Sequence, residues 1–160
     1  MSELSTLSAI LVPVVLAVIL LAAVFFDLRH LRLPNMLVYA LILCFALLAA
    51  PFLPLAELGW RLLAACVLLA LGLAAFAAGL IGGGDVKFLS ALLLFVPSHQ
   101  LTWFAFVAAV CLLLSIAIVL AARKLRPGYR GAWAGLRDDA NRLPMGLSFG
   151  MAGLVFWGLL

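Results

Sequence analysis

Six apolar runs divide the sequence: Leu7–Phe26, Met36–Phe52, Leu62–Ile81, Val86–Val96, Leu101–Ala122 and Leu143–Leu160. A membrane crossing needs about 20 mostly apolar residues, within a range of about 17–25, and all but Val86–Val96 meet that length. No run alternates with period two and each is apolar on all sides, so helices are indicated rather than a barrel. Pro13 and Pro51 fall inside or at the ends of runs, where membrane helices tolerate proline better than soluble ones do. The chain is 69% hydrophobic and 10% charged, whereas a soluble domain averages about 45–50% apolar and about 25% charged residues. Its mean hydropathy is +1.35. So little charge cannot cover a water-facing surface, which excludes a soluble enzyme, a disordered chain and an ordinary DNA-binding domain. The expected fold is all-α: one transmembrane domain over residues 1–160, with no internal repeat and no second domain.

Charge placement gives the orientation. Glu3 precedes the first run and the cluster Arg29, His30, Arg32 follows it, the reverse of a secretory signal. By the positive-inside rule the N-terminus lies outside and the 27–35 loop is cytoplasmic. Six crossings then place nine of the ten basic residues inside (Arg29, Arg32, Lys87, Arg123, Lys124, Arg126, Arg130, Arg137 and Arg142) and leave Arg61 outside. Both termini are thus expected outside. Val86–Val96 measures only about 16 Å as a helix, but without its crossing the basic 123–142 loop would face outward. That shortness predicts that Gly82-Gly83-Gly84-Asp85 lies below the membrane surface as irregular backbone, which is tolerated there only when buried in protein or lining a wet cavity. The 123–142 loop itself reads as a topology anchor drawn to anionic headgroups or as a docking or gating loop.

Of six acids, Glu3, Glu57, Asp138 and Asp139 read as solvated charges. Asp27 and Asp85 stand at the cytoplasmic edges of spans amid apolar sequence, where an ionisable residue is costly and by default functional. Asp27 has an alternative as a partner of Arg29 or Arg32, and Asp85 as a helix N-cap. Neither alternative explains three consecutive glycines, which admit the close approach of another backbone. Two carboxyl groups sharing a site hold one proton between them near neutral pH, because like charges resist joint ionisation. One member can then take a proton from water while the other polarises a peptide carbonyl. Which does which is not readable, because such a pair titrates as a unit.

The segment Asp27-Leu28-Arg29-His30-Leu31-Arg32-Leu33-Pro34-Asn35 resembles the D-x5-[IL]-P-N signature of bacterial prepilin peptidases. Gly82-Gly83-Gly84-Asp85-Val86-Lys87 is similar to their G-x-G-D-x-K motif, and Leu143-Pro144-Met145-Gly146 to their Pro-x-Gly entry into the last span. The two main motifs occur in the family's order and at the expected span ends. The resemblance implies an intramembrane aspartic peptidase, with Asp27 and Asp85 as catalytic residues and Pro34, Asn35, Gly82, Gly83, Gly84, Lys87, Pro144 and Gly146 as motif support. It implies removal of the leader peptide from type IV prepilins at the cytoplasmic face of the bacterial inner membrane. Larger relatives carry a Cys-x-x-Cys segment and N-methylate the product. Here Asp27–Asn35 leaves no room for it, so the chain is similar to the short peptidase-only branch serving Flp-type, tight-adherence pili.

Cys44, Cys66 and Cys111 lie singly in apolar runs and read as buried, inert thiols; no metal and no cofactor is expected. His30 and His99 fall on opposite sides of the membrane. Lys87 reads as a positive-inside anchor or as a charge acting on Asp85, and no Walker A motif is present. Gly146 and Gly150 form a GxxxG, read as close packing within the monomer rather than as a dimer seam. The Ala- and Gly-rich third run is read the same way. Expected partners are a prepilin helix, the bilayer and the pilus-assembly machinery, with no nucleic acid, and a monomer is the expected state. Two other function classes compete: a proton-coupled transporter or relay subunit using the two acids, and an inactive scaffold of a secretion complex.

Overall fold

The computed structural model describes residues 3–125, 131, 133–136 and 145–158. Among these residues six α-helices follow one another: α1 (Glu3–His30), α2 (Asn35–Cys44), α3 (Leu55–Ala77), α4 (Gly83–Leu93), α5 (Leu101–Leu125) and α6 (Met145–Gly158). A π-helical turn over Phe45–Ala49 and a 3-10 turn over Ala50–Phe52 prolong α2, and a short 3-10 turn over Ser98–Gln100 leads into α5. No strand occurs among the described residues. By length and apolarity four helical stretches of the described residues can cross a bilayer: Ile10–His30, Asn35–Phe52, Leu55–Ala77 and Ser98–Leu125. α4 and α6 are shorter than that.

α6 packs between α1 and α5, while α4 packs between α2 and α3 and also touches α6. Glycine makes the α1–α6 seam possible. A Cβ on Gly150 would overlap Val24 and come within 3.2 Å of the Leu20 carbonyl, and one on Gly153 would lie 2.6 Å from the Leu20 side chain. The GxxxG therefore serves packing inside this chain. Phe104 and Phe156 meet edge to face at 5.3 Å across α5 and α6. Between the same helices the buried hydroxyls of Ser115 and Ser148 bond to each other, so neither is left unpaired in an apolar interior. The third helix differs from expectation: only 11% of its apolar window is buried. Gly72, against Val86, is the one glycine of α3 with a close neighbour, and most of the alanines face outward.

Several expected boundaries are corrected. α3 begins at Leu55 and ends at Ala77 instead of spanning Leu62–Ile81. Its polar start is satisfied in place: Glu57 accepts from Arg61 Nε at 2.8 Å, from Ser98 N–H at 2.9 Å and from Ser98 Oγ at 2.6 Å. Glu57 is thus a bonded group rather than a solvated charge. The helix stops because Gly79 turns left-handed, with φ 75°, and Leu80 N–H bonds back to the Ala75 carbonyl at 3.0 Å. α4 begins at Gly83 instead of Val86. Gly83, Gly84 and Asp85 are helical, and only Gly82, the extended N-cap with ψ 136°, lies outside. The glycine run is therefore a helix start, not irregular backbone, because the first-turn N–H groups need no partner within the helix. Most of the 123–142 loop, with Arg126, Arg130, Arg137, Asp138, Asp139 and Arg142, lies outside the described residues. Within it, Trp133 packs edge-on against Phe25 at 5.7 Å, and Arg123 donates to the Gly135 carbonyl at 3.0 Å.

Candidate active site

Five helix ends converge at one end of the bundle: the last turns of α1 and α3 and the first turns of α2, α4 and α6. A cavity of about 570 Å³ opens among them, and Asp27 and Asp85 both line it.

Asp27 lies in the last turn of α1 and is only 3% exposed. A carboxylate there meets the negative end of its own helix, an unfavourable place that needs an outside donor. α6 supplies one, since the Leu147 N–H donates to Asp27 Oδ2 at 3.0 Å. First-turn amides lack intrahelical partners and form the positive helix end. Gly146 makes room for this approach, as a Cβ there would lie 2.8 Å from the Cβ of Asp27 and 2.9 Å from its Cγ. The alternative of an ion pair with Arg29 or Arg32 gives way to this arrangement. The Arg29 guanidinium lies over the Phe25 ring at 5.7 Å, and Arg32 stands on the cavity wall.

Asp85 is half-buried in the first turn of α4. It is not the N-cap; that residue is Gly82. Its carboxylate leans back over Gly82, and a Cβ at position 82 would overlap Asp85 Oδ2. Each of the three glycines clears space for a different neighbour. A Cβ on Gly83 would lie 3.3 Å from the Phe76 ring, and one on Gly84 would lie 3.2 Å from the Leu33 carbonyl. The second contact brings the glycine motif onto the Leu-Pro-Asn motif. There Leu33 is buried, Pro34 caps α2 with φ -69° and ψ 140°, and Asn35 begins α2 on the cavity wall. Leu31 turns the chain between α1 and α2 in a left-handed conformation, φ 52°, which costs a non-glycine residue about 1–2 kcal/mol. It too lines the cavity.

Of the motif residues named from sequence, Asp27, Asp85, Asn35, Gly82, Gly83 and Gly84 thus meet at one cavity, and Gly146 seats Asp27. Lys87 is exposed and lines a neighbouring groove instead. Pro144 lies outside the described residues. Cys66, expected buried, is exposed, while Cys44 and Cys111 are buried. Sequence reasoning missed the Leu147 amide, because a backbone donor has no residue signature. It also missed Met145, Leu31 and Gly79 on the cavity wall; for Gly79 the available signal was a glycine near the end of a long apolar run, where it can stop a helix. Two carboxyl groups facing one polar cavity in an apolar bundle can share a proton and act on water.

An apolar helical bundle with helices long enough to cross a bilayer, gathering two acids where its helix ends converge, is a membrane-type bundle with a carboxylate site. The chain belongs to the type IV leader peptidase family, whose family model matches residues 14–121, more than half the chain and inclusive of Asp27–Asn35 and Gly82–Lys87. That family consists of peptidases. No match was found among curated proteins or among solved structures. Gly146 and Leu147 lie beyond the matched residues, so their part in seating Asp27 comes from the geometry alone.

Proposed function

We propose that the chain is an intramembrane aspartic endopeptidase that removes leader peptides from type IV, Flp-like prepilins at the cytoplasmic face of the inner membrane. The observation that carries this reading is the shared cavity: the aspartates of the two family motifs, 58 positions apart in the chain, line one space. A water molecule gives a proton to the ionised member of the pair, and its oxygen attacks the scissile carbonyl carbon. The protonated member donates to the carbonyl oxygen as it gains charge. The resulting diol collapses with cleavage of the C–N bond, the leaving nitrogen takes a proton from the pair, and no covalent enzyme intermediate forms. Asp27, seated against Gly146 and bonded by the Leu147 amide, is the buried member; Asp85 is the more accessible one. The pair acts as a unit.

In this reading the chain crosses the membrane six times with both termini outside, works as a monomer beside the pilus-assembly machinery, and does not methylate its product. A proton relay finds less support. The buried polar side chains among the described residues are Asp27, Ser90, Ser115 and Ser148. Ser90 and Ser115 are committed to carbonyls of their own helices, so among the described residues no chain of buried acids leads away from the cavity. Co-expression with a tagged prepilin from the same genome tests the peptidase. Asp27→Asn and Asp85→Asn should each lower leader removal on a gel by about 100-fold or more at unchanged membrane levels. Full processing by either variant would end the two-aspartate mechanism.

A further inference from the structure

α2 and α3 both pack on α4 but not along each other, so a slot about 510 Å³ in volume stays open between them with α4 as its floor. Resting on the peptidase reading above, we infer that this slot seats the apolar helix of the substrate, which enters sideways from the bilayer and feeds its unwound end into the carboxylate cavity.

Three features support that occupant. The first is continuity: Asn35 lines both the slot and the cavity, and α4 presents Asp85 to one and Lys87, Ser90 and Ala91 to the other. A chain lying along α4 is therefore led to Asp85. The second is a set of small side chains in the lining: Ala65 and Cys66 on the α3 wall and Ser90 and Ala91 on the α4 floor; small residues let another helix come close in a membrane. Ser90 donates to the Val86 carbonyl at 2.9 Å, so it presents no unmet polar group to an apolar partner. The third is polarity along the length. The far end is apolar, with Ile42, Leu62 and Leu94, whereas the cavity end holds the Asn35 amide and the Lys87 ammonium. A helix that unwinds for cleavage frees carbonyls that need donors at membrane depth, and these two side chains stand where the unwinding must begin.

Cys66 gives a native probe, because it lines the slot and is exposed while Cys44 and Cys111 are buried. Single cysteines are placed along the apolar helix of a prepilin, and each variant is co-expressed with the Asp85→Asn enzyme and oxidised. Crosslinks to Cys66 are expected at substrate positions three or four residues apart and should vanish in Cys66→Ser. Processing of the same substrates by the wild-type enzyme is followed in parallel. Normal processing with no crosslink at any position overturns the slot and leaves the peptidase standing; absence of processing overturns the peptidase reading itself. Protection of Cys66 from maleimide by phosphatidylglycerol, with none by the substrate, assigns the slot to lipid and likewise overturns the inference. Filling the slot with Cys66→Trp should raise KM by about tenfold or more with a smaller change in kcat, and an unchanged KM counts against the proposal.

Discussion

A Cβ on Gly146 would lie closer to Asp27 than ordinary van der Waals contact allows, and the obstacle is the first part of a carboxylate side chain rather than a flexible tip. Gly150 and Gly153 face α1 in the same way but meet Val24 and Leu20. Gly146→Ala and Gly150→Ala should therefore both destabilise the bundle by about 1–3 kcal/mol through overpacking. Only Gly146→Ala should also lower turnover per folded molecule, by about 100-fold, since a misplacement near 1 Å at a reacting group has that effect. Thermal unfolding in detergent, paired with single-turnover processing, separates the two effects; equal turnover in both variants would refute the seating role of Gly146. At this scale the acids were legible because charge is so scarce that two carboxylates set amid apolar sequence stand out. Their surroundings were not, because the Leu147 amide and the left-handed Leu31 are properties of the backbone.

The helices themselves were legible from apolar runs, but their ends were not. Hydropathy assigns charged residues to loops, which puts Glu57 and Arg61 before the third span. In the fold they lie inside α3 because each finds partners there. Arg61 Nη1 reaches the carbonyls of Leu94 and Phe95 at 3.4 and 3.3 Å, which are left without intrahelical donors where α4 stops. Glu57 holds Ser98 just beyond. The short α4 is thus terminated by side chains of its neighbour rather than by water. Arg61→Leu removes the donors to both carbonyls and should destabilise the fold by about 1–2 kcal/mol, roughly the net strength of one hydrogen bond at each carbonyl. Arg61→Lys should recover only part of this, because an ammonium cannot reproduce the planar fork that serves Glu57 and the carbonyls together. Unfolding in a graded detergent series measures both; full recovery by lysine would show that charge alone matters.

For the whole molecule, the weak point of a six-crossing topology is the length of α4, and its pairing with α3 bears directly on that. Gly83 lies against Phe76 and Val86 against Gly72 at one end. Arg61 reaches Leu94 and Phe95, and Glu57 reaches Ser98, at the other. The two segments run antiparallel with both ends matched. The stretch of α3 from Glu57 to Phe76 covers about 28 Å at 1.5 Å per residue, close to the hydrocarbon thickness of about 30 Å. The segment from Gly83 to Ser98 thus runs beside α3, a helix long and apolar enough to cross a bilayer, from one end to the other. α1 and α6 match in the same antiparallel way, from Asp27 opposite Gly146 to Leu20 opposite Gly153. Both pairings support the charge arithmetic that puts nine basic residues on one side. Alkaline phosphatase fusions, active only outside the cytoplasm, should therefore be active after residues 53 and 99 and at the C-terminus. Fusions within residues 31–34 and 126–142 should be silent. Activity within 126–142 would mean that α4 turns back, and it would put the cavity holding Asp27 and Asp85 on a different side from the basic loop.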